Sequence, residues 1–260
     1  MKKHTIAPNV YLGVILFLTY VPIFLVVIYS FNESRISSVW SGFSLSWYRE
    51  LFADQSIFQA LVNSLVLATV SSLLAAGIGT MAAVGMAVRK MRLNGLVEYL
   101  STLPIMIPEI ILGMVLLVFF SLIGIPFGMT SLMIAHTVFC IPYVFMMVKA
   151  RLADMDKSYV EAARDLGASE LRAFLDITFP LIRPAIISGM LLAFAMSMDD
   201  VIITMFLNDV NSNTLPLKIY TQLKTGVTPK TNALCAIMFA FTVLLGTLSM
   251  WIGRNKKYEI

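Results

Sequence analysis

The stretch that decides the fold is residues 158–180, SYVEAARDLGASELRAFLDITFP, a polar segment between two long apolar runs. Its residues predict two short helices joined by a glycine corner. Ser158 and Glu161 form the pattern of a capping box, in which each side chain satisfies a free backbone donor. Gly167 predicts the end of the first helix, because a left-handed residue there has little strain only without a Cβ. Ser169 predicts the cap of the second helix.

Local chemistry leaves two interpretations of this segment open. In the first, it is a compact helical corner whose small residues, Ala162 and Ala163, let another protein approach closely. In the second, it is an ordinary polar loop between two spans, in which Glu161 only caps its own helix. Neither interpretation places a catalytic site here.

The residues on both sides of the segment predict a membrane domain. The chain has 260 residues, of which 58% are hydrophobic and 13% charged, and its mean hydropathy of +0.84 excludes an ordinary soluble domain. A helix needs about 20 apolar residues to cross the hydrocarbon core. We therefore predict an all-α integral membrane protein with six transmembrane helices, at residues 9–31, 59–88, 96–123, 129–149, 183–206 and 232–253.

The first apolar run resembles a secretory signal only superficially. It is longer than the apolar region of a signal peptide, and no A-x-A-like cleavage site follows it. We expect it to be retained as a span. The predicted organisation is an N-terminal helix with an outer segment at 1–58, a five-helix core at 59–253 that contains the polar loop 150–182, and a tail at 254–260.

The distribution of Lys and Arg predicts that both termini are cytoplasmic, because cytoplasmic loops carry the excess of basic residues. With the N-terminus inside, fourteen basic residues fall on the inner side: Lys2, Lys3, Arg89, Lys90, Arg92, Lys149, Arg151, Lys157, Arg164, Arg172, Arg183, Arg254, Lys256 and Lys257. Five fall on the outer side: Arg35, Arg49, Lys218, Lys224 and Lys230. We read the basic excess as an orientation signal, with no nucleic-acid partner.

The cysteines and histidines predict no metal site. Cys140 and Cys235 lie in or beside apolar runs without a C-x-x-C pattern, and His4 and His136 have no partners at ligand spacing. The chain also has no P-loop of the form G-x-x-x-x-G-K-[ST], so it cannot hydrolyse ATP by that route.

Three carboxylates lie within or near the predicted spans: Glu109, Asp199 and Asp200. A charged group at mid-membrane costs about 2.5–3.5 kcal/mol on insertion scales, so such acids are candidate functional residues. Glu109 follows Pro104 and Pro108, a broken helical stretch that requires protein or a water-filled cavity beside it. Asp199 and Asp200 are about 100° apart on a helix. We therefore expect one to face a pathway while the other pairs or caps.

The alternative is that these acids only satisfy polar groups of neighbouring helices. Against it, no Lys or Arg lies in the interior of a predicted span. A pathway lined by carboxylates favours cations. Three aromatic residues, Phe194, Phe206 and Tyr143, are predicted to add cation–π contacts to ammonium groups on the same pathway.

The segment 158–180 resembles the EAA loop of permeases of ATP-binding cassette (ABC) importers, of the type I, MetI-like, binding-protein-dependent family. That pattern is E-A-A-x3-G-x9-I-x-L-P, and the chain departs from it only at Phe179, where the pattern has Leu. The resemblance implies a coupling helix seated in a groove of the ATPase subunit. The residues implied to contact or couple to the ATPase are Glu161, Ala162, Ala163, Gly167, Ile177 and Pro180.

A second resemblance covers most of the chain. Ser197-Met198-Asp199-Asp200-Val201, Leu215-Pro216-Leu217-Lys218-Ile219-Tyr220 and Asn232-Ala233-Leu234 are similar to the smaller permease subunits of spermidine/putrescine importers. This implies import of polyamines by alternating access in the inner or plasma membrane of a prokaryote. It implies four partner chains, namely a second homologous permease, two ABC ATPases that bind ATP and Mg, and an extracytoplasmic solute-binding protein. No cofactor is expected in this chain.

Two other functions remain open from the residues. One is an ABC permease for another small solute, such as an amino acid, a sugar or a metal chelate. The other is an ion-coupled secondary transporter, which predicts an internal repeat and no coupling loop. The EAA spacing argues against the second.

Overall fold

The computed structural model of the chain describes residues 6–34, 39–88, 93–156 and 158–255, and these form helices with no strand beyond one isolated bridge, Asn32 to Phe43. The helices are α1 (Ile6–Tyr29), α2 (Ser46–Ala53), α3 (Gln55–Val88), α4 (Asn94–Met106), α5 (Glu109–Ile123), α6 (Met129–Ala153), α7 (Ser158–Asp165), α8 (Glu170–Ala173), α9 (Phe179–Asp199), α10 (Ile202–Leu207), α11 (Leu215–Thr225) and α12 (Pro229–Asn255). A π-helical turn, Phe174–Thr178, joins α8 to α9.

Several residues named in the topology and metal arguments lie outside the described ranges. They are Lys2, Lys3, His4, Arg35, Arg89, Lys90, Arg92, Lys157, Lys256 and Lys257, together with the end of the tail, 256–260.

Four helical segments of the described chain are long and apolar enough to cross a membrane: Val10–Tyr29, Gln55–Ala87, Met129–Ala153 and Glu170–Asp199. A fifth span is formed if α4 and α5, which bend by 110° relative to each other, count as one. The sixth predicted stretch lies within α12, whose apolar part, Pro229–Leu244, is shorter. A helical membrane domain is therefore confirmed, whereas the count of six spans stays a prediction.

The structure corrects the shape of the stretch 96–123, which was expected to be one span. Helix α4 ends at Met106, and Ile107 is extended with φ −88° and ψ 129°. Pro108 explains this break, because a proline disfavours the helical conformation of the residue before it and has no N–H to donate. Glu109 is consequently the first residue of a new helix.

The stretch 183–206 is also interrupted. Helix α9 ends at Asp199, Asp200 is extended with φ −69° and ψ 129°, and a new helix starts at Ile202. The Asp200 carboxylate accepts the backbone N–H of Ile203 and of Thr204. Aspartate side chains compete for backbone donors in this way, so they favour the start of a helix over its interior.

The chain divides into two compact units: Met1–Phe58 with Ile219–Ile260, and Gln59–Lys218. In the first unit, Lys230 Nζ donates to Asp54 Oδ2 at 2.7 Å. Hydrogen bonds from Lys230 and Ser56 hold the pKa of Asp54 well below its usual range. This contact therefore stabilises the fold above the ordinary carboxyl pKa and is lost as the pH falls through the lowered one.

In the second unit, α6 packs closely against two other helices. A Cβ placed on Gly79 of α3 would lie 3.0 Å from Phe145 N, and one placed on Gly189 of α9 would lie 2.9 Å from Val144 Cα. Glycine at both sites lets the helix backbones approach to a distance that a larger residue prevents.

We expect Gly189→Ala to lower the thermal stability of the purified protein, because its Cβ meets backbone that cannot move aside. Such overpacking costs about 1–3 kcal/mol. The matched control is Gly77→Ala on α3, where an added Cβ meets nothing within 4 Å. Thermal unfolding in detergent measures both variants. Equal midpoints for the two would contradict close packing at Gly189.

Candidate functional site

The corner between α7 and α8 has the geometry that its sequence predicts at Gly167. Gly167 has φ +89°, a left-handed conformation. Its N–H donates to Arg164 O at 2.9 Å, and the N–H of Ala168 donates to Ala163 O at 3.0 Å. These two bonds form a Schellman motif, which satisfies the last carbonyls of the helix. Gly167 is therefore confirmed as the residue that ends α7.

The two predicted caps have different outcomes. The hydroxyl of Ser169 accepts the N–H of Arg172 at 3.3 Å and caps α8, as predicted. The prediction for Ser158 is wrong, since Ser158 is the first helical residue and its own N–H donates to Asp156 Oδ1 at 2.9 Å. The hydrogen bonds from the Ser158 backbone and hydroxyl lower the pKa of Asp156. The sequence signal for this hydrogen bond is an aspartate two residues before Ser158. The Ser-x-x-Glu pattern that begins at Ser158 predicts a different cap for the same helix.

The corner exposes large apolar side chains on a polar segment. Leu166 is 90% exposed, and Tyr159 and Leu171 are also exposed. Glu161 and Ala162 are exposed beside them, while Ala163 is half-buried. These exposed apolar side chains on α7, the turn after it and α8 form a surface that another protein can contact.

The remaining two residues of the predicted coupling set lie apart from α7. Ile177 is in the π-helical turn and Pro180 is at the start of α9. Both line a groove of about 600 Å³, together with Tyr159 and Asp176. The corner and the groove therefore adjoin, and all six residues of the set lie in one region of the second unit.

The predicted acids come together at the two helix breaks. Glu109 is the first residue of α5 and is half-buried, Asp199 is the last residue of α9 and is exposed, and Asp200 is buried. The charge of Glu109 interacts with those of Asp199 and Asp200. Tyr143 on α6 lies close enough to Glu109 to interact with it. The remaining predicted residues are both half-buried, Phe194 on α9 and Phe206 on α10.

One residue of this region was missed by the sequence analysis. His136 on α6 has no exposed surface, and its Nε2 lies 3.3 Å from Asp200 Oδ2. Its Nδ1 lies 2.8 Å from Ser197 Oγ. The sequence carries a signal for this contact, which is the presence of a histidine inside an apolar run. An ionisable side chain in such a run requires a polar partner.

The carboxylates at the breaks can attract a cation. Glu109 and Asp199 concentrate negative charge where both helices are interrupted, and Tyr143 adds an aromatic face at the same place. Carboxylates and aromatic faces are the groups that bind ammonium ions.

A profile of the family described as binding-protein-dependent transport system inner membrane component matches residues 75–255. The chain belongs to this family. It is thus a multi-pass membrane protein and a component of a transport system, as its apolar helices also indicate. The exposed corner and the interrupted spans both lie within the matched region.

Two curated relatives of the transport component cover nearly its whole length. The spermidine/putrescine transport system permease protein PotC of Haemophilus influenzae is 38% identical over 250 residues, which is 96% of this chain and 97% of the relative. The putrescine transport system permease protein PotI of Escherichia coli is 39% identical over 250 residues, which is 93% of this chain and 89% of the relative.

Solved structures of ABC importers share the fold of this family member. One chain of a bacterial ABC transporter that imports the acidic polysaccharide alginate matches with a TM-score of 0.72 and 15% identity, over 98% of this chain and 96% of that one. A chain of the MetNI methionine ABC transporter matches with a TM-score of 0.64 and 17% identity, over 74% and 92%. The fold is that of type I ABC importer permeases.

We expect Gly167→Ala to reduce transport, because a side chain at φ +89° is strained by about 1–3 kcal/mol and loosens the α7–α8 corner. Gly167→Asn is the control, since asparagine tolerates the left-handed conformation better than alanine does. The measurement is the solute uptake rate per assembled transport complex. An alanine variant as active as wild type, with the asparagine variant impaired, would contradict the proposed strain.

Proposed function

We propose that the chain is a permease subunit of an ABC importer that moves polyamines such as spermidine and putrescine inward. The observation that carries the proposal is the meeting of Glu109 and Asp199 at two helix breaks. Polyamines are flexible chains of ammonium groups, so carboxylates at intervals match their charge. The permeases at 38% and 39% identity, which belong to spermidine and putrescine systems, support the same cargo.

The residues of the proposed solute pathway have distinct chemistry. Asp199 and Glu109 supply negative charge, and Asp200 belongs to the same group of acids. Tyr143 and Phe194 supply aromatic faces, each of which contributes about 0.5–2 kcal/mol when it contacts an ammonium group. A site of several modest contacts suits a transporter, since the solute must leave as readily as it arrives.

The proposed topology has six spans, with both termini in the cytoplasm. Fourteen basic residues on the inner side against five on the outer side support it. In this orientation the α7–α8 corner faces the cytoplasm, where an ATPase is available. The membrane is the inner or plasma membrane of a prokaryote, in agreement with the family description.

The proposed complex contains four further chains. A second homologous permease completes the pathway, and two ABC ATPase subunits bind ATP and Mg, because this chain has no P-loop of its own. An extracytoplasmic binding protein delivers the solute, as the family description implies. Closure of the ATPases moves the corner, through Glu161, Ala162, Ala163, Gly167, Ile177 and Pro180, and so alternates access to the pathway.

Uptake of labelled spermidine into proteoliposomes that contain the full complex tests the cargo. We expect Asp199→Asn and Glu109→Gln each to lower the rate by at least about tenfold, the effect of losing one charge-assisted contact. Glu50→Gln is the control, because it neutralises a carboxylate of the first unit that is not in the proposed pathway. Its ion-pair partner Lys230, at 3.5 Å, still pairs with Asp54 at 2.7 Å in this variant. The proposed polyamine substrate would be contradicted if the wild-type complex transported an amino acid or a sugar but no polyamine.

Ala163→Trp tests the coupling role of the corner. We expect the variant to insert and assemble but to hydrolyse ATP without uptake, because an indole at this half-buried position keeps the ATPase from seating on α7. Ala163→Ser is the matched small substitution and should behave as wild type. ATPase rate and uptake rate are measured on the same proteoliposomes. Normal uptake by the tryptophan variant would overturn the proposed contact.

A further inference from the structure

Asp200 is held inside the protein by four donors. Its Oδ1 accepts the N–H of Ile203 at 3.1 Å, and its Oδ2 accepts both the N–H and the hydroxyl of Thr204, each at 2.9 Å. His136 Nε2 lies 3.3 Å from the same Oδ2. Three of these contacts converge on Oδ2, whereas Oδ1 accepts one hydrogen bond. Asp200 is only 7% exposed and its side chain only 1%, so burial keeps a solute from the carboxylate.

The direction of the hydrogen bonds identifies His136 as the donor that reaches Asp200 from another helix. The Thr204 hydroxyl already gives its hydrogen to Asp200, and the carboxylate can only accept. The hydrogen between the ring and this pair therefore belongs to His136 Nε2, which also lies 3.2 Å from Thr204 Oγ1. The other ring nitrogen meets Ser197, near the end of α9.

His136 thus joins three helices at one point. It lies on α6, its Nδ1 contacts Ser197 of α9, and its Nε2 contacts Thr204 of α10 as well as Asp200. Helix α10 in turn packs against α5, where a Cβ on Gly113 would lie 2.6 Å from the Phe206 ring. Helix α5 begins with Glu109, and α9 ends with Asp199. The positions of both unburied acids therefore depend on this junction.

We propose that His136 and Asp200 form a positioning pair that fixes the break between α9 and α10, so that Asp199 and Glu109 are the carboxylates presented to the solute. This assignment rests on the proposed function for the identity of the solute. It gives the two adjacent aspartates different tasks, since Asp199 is exposed and Asp200 is enclosed.

The test is a set of variants of the full complex, read in two ways. His136→Leu removes both ring nitrogens, and we expect it to lower the spermidine uptake rate by about tenfold or more, the effect of losing a hydrogen bond to a charged group. His136→Gln keeps a donor and an acceptor and should restore most of the rate. The double variant His136→Leu with Asp200→Asn should be no slower than His136→Leu alone, because both changes break one pair.

Thermal unfolding of the same purified variants supplies a readout that needs no solute. His136→Leu should lower the midpoint, and its effect should fail to add to that of Asp200→Asn. Asp199→Asn should leave the midpoint unchanged while it lowers uptake, as expected of a solute ligand. The control on α6 is Thr137→Val, whose hydroxyl bonds only its own helix at Met133 O.

Two results would overturn the assignment. One is His136→Leu with wild-type uptake and stability. The other is Asp200→Asn that abolishes uptake with an unchanged midpoint and no coupling to His136, the behaviour of a solute ligand. If wild-type complex carries no polyamine, the proposed function fails, and the unfolding measurements still decide whether His136 and Asp200 form a pair.

Discussion

The structure depends on one constraint, which is that hydrocarbon offers no hydrogen-bond partner to a free backbone group. A span can be interrupted only where protein or a water-filled cavity supplies the missing partners. The described part of the chain has two such interruptions, after Met106 and after Asp199. At the first, Pro108 removes one donor altogether. At the second, the Asp200 carboxylate takes up the free N–H groups of Ile203 and Thr204. Glu109 and Asp200 lie at helix starts, where a negative charge is stabilised, whereas Asp199 is the last residue of α9.

A single helical path links the two functional regions of the second unit. The residues from Glu170 to Asp199 form one continuous helical segment, through the π-helical turn and α9. At about 1.5 Å per residue, such a segment spans roughly 45 Å. Its first turns belong to the exposed corner, and its last residue is Asp199. We propose that a displacement of the corner passes along this helical segment to Asp199.

The sequence predicted those features that depend on neighbours along the chain. The apolar stretches, the left-handed Gly167 and the Ser169 cap follow from local periodicity and local hydrogen bonds, and the structure has them. The partner of a buried acid could not be predicted in this way, because it comes from a distant helix. His136 and Asp200 are 64 positions apart, and no spacing rule joins them. The Asp156 cap was missed because two overlapping capping patterns compete, and only the backbone geometry decides between them.

A partner from a distant helix also explains why the absence of Lys and Arg from the span interiors does not show which acids are free to bind a cation. Lys and Arg supply no partner inside the predicted spans, but a histidine, counted as neutral, satisfies Asp200. If Asp200 is paired with His136, the proposal of a cationic solute rests on the other two acids alone. Two carboxylates from separate helices, Glu109 and Asp199, then hold the negative charge at the pathway. Two separated charges match a cation with several ammonium groups better than they match a single metal-sized ion, which prefers ligands gathered at one point.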